Sequence, residues 1–288
     1  MINFEQYLYD HATGSTFLQV TGKTLKEMPV PYPGEEKGQH LVEDVEKLFS
    51  KLDEAEKKID QAFAAFPVRR AALLHRAFQG DLTKAWRKDH GMGMESWENS
   101  TLGKVAHWGS GGTPSRKHPE YFNGHIAWVK TGELLDDYIE HTEEKITETA
   151  IENSSAKLYP VHTVIVAMYG ATIGKTGILN IEAATNQACA CAVCSDELYY
   201  RFLFYYLQSQ KPQFINIGKG GAQPNISQTV IKNYPISVPT LPEQQEIVRL
   251  LDRLLGKEDK AKAAAEAMKT RIAALRASIL ARAFRGAL

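Results

Sequence analysis

Cysteine is scarce in this 288-residue chain, and the three present crowd into one stretch, ACACAVC, as Cys189, Cys191 and Cys194. A metal site ordinarily takes four ligands, and no histidine stands near enough in sequence to complete one. The spacing reads instead as a buried strand that uses cysteine as a small apolar residue. So few cysteines leave no disulfide framework, which fits a reducing, cytoplasmic setting. No run of about 18 uncharged apolar residues occurs, so no membrane-spanning helix is expected. The opening MINFEQYLYD lacks the basic-then-apolar order of an export signal. Net charge is missing as well: 34 Lys and Arg balance 34 Asp and Glu, which excludes a uniformly polycationic nucleic-acid binder. The balance is uneven along the chain. Residues 241–288 hold ten basic and six acidic side chains, a net +4, whereas residues 97–240 hold eleven and thirteen, a net −2.

Catalytic signatures are absent too. There is no nucleophile elbow, no H-E-x-x-H and no paired-histidine motif. Asn233-Tyr234-Pro235 only superficially resembles the D/N-P-P-F/Y of adenine methyltransferases. Glu143-Glu144-Lys145 contains an E-x-K, as some metal-dependent nucleases do. Without an apolar strand before it, it reads as a solvated charged turn. YGATIGKTG, residues 169–177, ends like a phosphate-cradling loop, which would make 170–176 the core of a nucleotide hydrolase. The motif needs four residues between its glycines, and Gly170 and Gly174 have three. Lys175-Thr176 should also open a helix, yet Gly177-Ile178-Leu179 follows as a strand pattern. The segment reads as a β-hairpin with a permissive tip.

What the chain does have is an internal repeat. RAFQGDL (76–82) recurs as RAFRGAL (282–288), an offset of 206 residues. The same offset pairs Leu41-Val42 with Ile247-Val248, Lys26 with Lys232, Pro29 with Pro235 and Pro33 with Pro239. A period this long marks a duplicated module with something large inserted between its copies. Each copy has a proline-rich extended piece followed by a heptad seam. In the second copy the seam is Ile247, Leu251, Leu254, Glu258, Ala261, Ala265, Met268, Ile272, Leu275 and Ile279. In the first it is Leu41, Val45, Leu48, Leu52, Ala55, Ile59, Ala62, Phe66, Arg69 and Leu73. Each seam is interrupted once by charge. A helix of about 40 residues spans roughly 60 Å, and two such helices are expected to pack together, with Ala55, Ala62, Ala261 and Ala265 permitting close approach. Pro67 should kink or break the first near 64–66.

Between the helices, short β-branched runs alternate with glycine and proline: 125–130, 162–169 and the cysteine strand 188–194. Residues 197–210 read as an aromatic-rich helix. The fold class is therefore α+β: one mixed α/β domain flanked by two long helices forming an antiparallel coiled coil. The inserted domain carries three glycine-containing loops with isolated cations, 108–122, 170–175 and 215–227. Glycine lets a backbone approach a ligand, and Arg, Lys, Asn and Gln bond phosphates and base edges. The candidate DNA-contacting residues are Gly111, Gly112, Thr113, Ser115, Arg116, Lys117 and Lys130, then Tyr169, Thr172 and Lys175, then Asn186, Lys219, Gln223 and Asn225.

Ordered motifs give a resemblance over essentially the whole chain: W-x(4)-LG at 97–103, GGTPS at 111–115, EYFNGHIAWVKTGEL at 120–134 and NSSAKLYP at 153–160, followed by TNQACA at 185–190, GGAQPNIS at 220–227, PISVPTLPEQQEIV at 235–248 and the terminal AFRGAL. The chain resembles the specificity subunit of type I restriction–modification enzymes. The resemblance implies a non-catalytic reader of double-stranded DNA, with a target-recognition domain at 97–240 and helical spacers at 34–96 and 241–288. It implies docking of modification (methyltransferase) and restriction (translocase–nuclease) subunits. S-adenosylmethionine, ATP and magnesium would belong to those partners, with no cofactor on this chain. The family carries two recognition domains. Here residues 1–33 match only the tail of one, so the chain resembles the C-terminal half of such a subunit. Two copies are then expected to associate through their long helices and read an inverted-repeat site. The alternative is a coiled-coil adaptor that reads no DNA.

Overall fold

In the computed structural model, which describes residues 4–14, 17–30, 33–219 and 225–288, the 206-residue repeat reappears as repeated local structure. A short helix Phe4–Asp10 corresponds to 210–216, which lie within the central helix Tyr200–Gly218. Helix Gly22–Glu27 begins where the Thr21 hydroxyl accepts the Thr24 N–H, and Gln228–Lys232 begins where Ser227 accepts the Val230 N–H. Both hydroxyls satisfy a backbone donor that a first helical turn leaves orphaned. The first long helix, Glu35–Phe78, corresponds to the last, Leu241–Ala283. Their ends match as well. Gly80 (φ 78°) and Gly286 (φ 66°) take the left-handed conformation, and Asp81 and Ala287 donate back to the carbonyls of Arg76 and Arg282. This paired closure needs a glycine at the turn, which is why the repeated A-F-x-G is legible at both sites.

The chain divides into two units, residues 1–66 with 259–288, and residues 67–258. In the first, the two long helices run antiparallel. Lys269 pairs with Asp60 at 2.8 Å, and Arg276 pairs with Glu56 at 3.1 Å and with Asp53. Arg276 also stacks over Phe49. The expected seam is only partly used. Ile272 is buried, but Met268 and Leu275 are 49% and 43% exposed. Pro67 does not break the first long helix, which runs unbroken to Phe78. The boundary between the units nonetheless falls between Phe66 and Pro67.

In the second unit the two charges that interrupt the seams meet each other, with Arg69 and Glu258 2.9 Å apart. The unit contains eleven strands among its described residues: β1 (Glu98–Thr101), β2 (Ala106–Ser110), β3 (Ile126–Val129), β4 (Asp137–Ile139), β5 (Glu144–Ile146), β6 (Leu158–Tyr159), β7 (Val164–Ala167), β8 (Thr176–Leu179), β9 (Ala183–Thr185), β10 (Cys189–Cys194) and β11 (Pro235–Val238). They form sheets in the orders β1-β11, β2-β10-β7-β8-β4 and β5-β3-β9-β6. β7 and β8 pair antiparallel, so residues 168–175 are a hairpin connection as expected. The cysteine stretch is the buried strand β10, and burial pushes the Cys191 thiol up to about 12. The central helix outruns the expected 197–210: it starts at Tyr200 and continues across Pro212 to Gly218. Nine of its residues are buried, and the apolar side chains among them share a core with Trp108, Val166, Ile178, Ile247 and Leu251. Tertiary burial here outweighs the proline's penalty.

One polar knot lies beneath this core. Glu243, in the first turn of the last helix, is fully buried. Its carboxylate accepts from Thr83 Oγ1 at 2.7 Å, Arg87 at 2.5 Å and Trp97 Nε1 at 3.1 Å. Arg87 also donates to the Gly80 carbonyl at 2.7 Å, so the end of the first long helix, the entry to the sheets and the start of the last helix share one ion pair. Removing one partner of a buried pair typically costs about 3–5 kcal/mol, because the other charge stays buried. Glu243→Ala is expected to lower the free energy of unfolding by about that amount in urea titrations. Glu246→Ala, which breaks the exposed pair with Arg249, is expected to cost under about 1 kcal/mol.

Candidate nucleic-acid interface

Most sequence-selected residues gather at one end of the sheets. The C-terminal ends of β2, β3, β7 and β9 and the N-terminal ends of β8 and β10 lead into them. Two clusters result. In the first, Tyr169 forms an antiparallel bridge with Asn225, and Thr172 Oγ1 donates to the Tyr169 carbonyl at 2.8 Å. Lys175 closes the hairpin, and Lys219 caps the central helix beside Asn225, whose N–H reaches the Gly218 carbonyl. Gln223 lies outside the described residues. Lys175 and Thr176 lead into strand β8, with no helix N-terminus to cradle a phosphate, so the hairpin reading holds over the P-loop reading.

The second cluster surrounds β2, β3 and β9. Thr113 Oγ1 donates to the Gln187 side chain, and Asn186 Oδ1 accepts the Ala188 N–H at 3.2 Å. Ala188 in turn accepts from Met168 at 2.9 Å, which links the two clusters. Ser115 Oγ is 3.4 Å from the Lys117 N–H. Lys117, Lys175 and Lys219 make no ion pair among the described residues.

Four residues are placed differently from expectation. Gly111 and Gly112 are buried rather than poised to meet a ligand. A Cβ on Gly111 would collide with the Thr185 backbone, and one on Gly112 with Ser155 and Ala156. The Gly112 N–H bonds the Thr185 carbonyl at 2.8 Å, and its carbonyl accepts from Trp128 Nε1 at 3.0 Å. These glycines bring β2 against β9. Arg116 and Lys130 are spent on carboxylates: Arg116 reaches Glu144 at 2.7 Å, and Lys130 reaches Glu143 at 2.9 Å and Glu144 at 3.0 Å. Arg116 also lies over the Phe122 ring, 4.0 Å from its centre. Glu143-Glu144-Lys145 is thus no simple solvated turn. Glu144 begins β5, which pairs with β3.

Asp136 was not legible as a site residue. It adopts φ 59°, a conformation that Asp tolerates better than most. Its Oδ1 accepts from Thr176 N at 2.8 Å and Oγ1 at 3.0 Å, and its Oδ2 pairs with Lys211 at 3.3 Å. It therefore fixes the base of the hairpin against the central helix. The turn-like Asp136-Asp137 was the only sequence signal for it.

Residues 94–266 match the family model described as the type I restriction modification DNA specificity domain, which is well over half of the chain. The chain belongs to this family. Its relatives include the specificity subunit of the type I restriction enzyme EcoR124I/EcoR124II of Escherichia coli, 24% identical, with 81% of this chain and 57% of that protein covered. The StySPI specificity subunit of Salmonella potsdam is 26% identical, with 92% and 58% covered. The chain thus spans a little over half the length of these relatives. Among solved structures, the HsdS subunit from Thermoanaerobacter tengcongensis matches with a TM-score of 0.66 at 21% identity, covering 98% of this chain and 68% of that one. A structure described as underlying complex assembly and conformational transition of the type I R-M system matches at 0.77 and 22%, covering 96% and 66%. At these identities they share its fold.

In this specificity-domain chain the GGTPS and NSSAKLYP motifs are packing partners, which leads to a stability expectation. Gly112→Ala is expected to cost about 1–3 kcal/mol in chemical unfolding, since backbone must move to admit one methyl. The Glu144 knot gives a second expectation. Its hydrogen bond from Arg116, then that from Lys130, holds the Glu144 carboxyl below its ordinary value of 4.5. The bond to Glu143, then that to Glu144, raises the Lys130 amine above 10.5. A lowered carboxyl contributes stability above its unfolded value and loses it as pH falls through its folded value. A raised amine contributes below its unfolded value and loses it as pH rises through its folded one. The knot is therefore expected to be intact at neutral pH and to open below pH 4.5 or above 10.5. A carbon-13 titration of Glu144 with a midpoint at or above 4.5 would contradict this.

Proposed function

We propose that this chain is the DNA-reading, specificity component of a type I restriction–modification system, and that it reads one half-site of a bipartite target. The observation that carries the reading is the convergence of Tyr169, Thr172, Lys175, Asn186, Lys219, Asn225, Thr113 and Lys117 on one end of the sheets, inside the family-matching segment. Unpaired lysines there can meet phosphates, and the Asn, Thr and Tyr side chains can reach base edges. Arg116 and Lys130 support the surface from within. In this reading residues 97–240 are the recognition domain, 34–96 and 241–288 are helical spacers, and 1–33 is the tail of an incomplete first recognition domain. The repeated helix caps at Thr21 and Ser227 support that last assignment.

The chain carries no catalytic step in this reading. Methyl transfer and cleavage, with S-adenosylmethionine, ATP and magnesium, belong to modification and restriction subunits docked on the long helices, in the cytoplasm. Two copies associate through those helices, since the duplicated segments make either half nearly equivalent to the other.

Methylation mapping in cells that carry this chain with its modification subunit is expected to yield a bipartite, inverted-repeat motif. The absence of any enriched motif would overturn the reading. In vitro, replacing Lys117, Lys175 and Lys219 with alanine is expected to weaken all duplexes alike. The slope of the salt dependence should flatten by about 0.9 for each phosphate that is no longer neutralised. Asn186→Ala is expected to alter the preferred sequence instead.

A further inference from the structure

We propose that the groove between the first long helix and the central helix seats the DNA backbone that flanks the half-site. The proposal rests on the DNA-reading assignment above. The groove encloses about 670 Å³, and its walls carry Arg70, His75, Lys211, Asn216 and Lys219 above a floor that includes Leu74 and Phe78. Three fixed cations face a single carboxylate there, that of Asp136. In a chain of zero net charge, and in a domain whose own balance is acidic, that local excess is unusual.

The groove is continuous with the reading surface. Gly174, at φ 75°, lies so close to the central helix that a Cβ on it would meet Lys211 Cα at 3.2 Å. Two turns later, a Cβ on Gly218 would meet Ile173 Cδ1 at 2.9 Å. The hairpin tip therefore rests on the wall of the groove, and Lys219 belongs to both. Donor capacity remains. Arg70 spends one terminal nitrogen on Gln208 at 3.0 Å, and Lys211 makes one contact, at 3.3 Å, with Asp136. His75 and Asn216 are exposed, and their side chains make no hydrogen bond among the described residues. Guanidinium, ammonium and amide donors along an open trough suit a row of phosphates. The contact is sequence-independent, so it adds affinity and orientation without adding to the code.

The test uses the full chain and a duplex selected from a random pool, in two lengths. One ends at the half-site, and the other is extended by about 10 base pairs, one helical turn, on either side in turn. Extension on one side is expected to tighten binding about tenfold and to steepen the salt dependence. His75→Glu with Asn216→Asp is expected to abolish that gain and leave the short duplex bound as before. Both positions are exposed helix sites, and an unchanged thermal melt would establish that the variant folds. Each single variant provides a fallback if the double variant does not fold. A length gain that survives both substitutions, or no gain on either side, overturns the groove proposal while leaving half-site reading intact. A pool that enriches no sequence, with equal weak binding of both lengths, overturns the DNA-reading assignment and this proposal with it.

Discussion

The second unit depends on a buried carboxylate that has to be satisfied. Glu243 sits at the start of the last helix with no access to water, and a lone charge there would be prohibitively costly. Its donors come from Thr83 and Arg87, at the cap and in the body of the short helix Lys84–Asp89, and from Trp97, just before β1. Satisfying the charge forces those segments together in one arrangement. Gln244, the next residue, does the same on the other side, donating to the Glu197 and Pro239 carbonyls and accepting the Tyr199 N–H. The P-E-Q-Q segment is therefore a joint, where two polar side chains lock the last helix to the sheets and to the central helix.

The proposed reading surface is held in place for related reasons. Its backbone is positioned by glycines that permit contact between strands, and by carboxylates that absorb two of its cations. Glu133 accepts both the Lys130 and the Glu143 N–H, and Glu144 holds Arg116 and Lys130. Asp136 pins the hairpin at its base, Ile173 and Gly174 pack against the central helix, and residues 169–171 stay exposed. The proposed base reading would benefit from this division, since side chains on a fixed frame lose little entropy on binding. The lysines that make no ion pair among the described residues, Lys117, Lys175 and Lys219, are those the proposed function gives to an external anion.

Some of this was written plainly in the residues. The A-F-x-G closure of both long helices follows from a glycine that the turn requires, so a 206-residue offset in letters became an offset in structure. β-Branched runs marked β3 and β7, and the strand pattern Gly177-Ile178-Leu179 after Lys175-Thr176 marked a hairpin. Other features misled. The continuity of the first long helix past Pro67 and of the central helix past Pro212 came from burial, which a local proline rule does not weigh. The Arg69–Glu258 pair turned two apparent defects in the seams into partners, but only once the helices were laid side by side.

The sequence by itself determined the duplicated helices, their caps, the mixed inserted domain and the loops worth watching, because these are short-range matters of periodicity and backbone freedom. Tertiary structure decided which glycines face a neighbouring strand and which cations are already paired. It also showed that Asp136 belongs with Thr176 and Lys211. Those outcomes depend on groups dozens of residues apart reaching hydrogen-bonding distance. No local pattern encodes that, since the same Gly-Gly or Arg-Lys is compatible with either an open loop or a packed one.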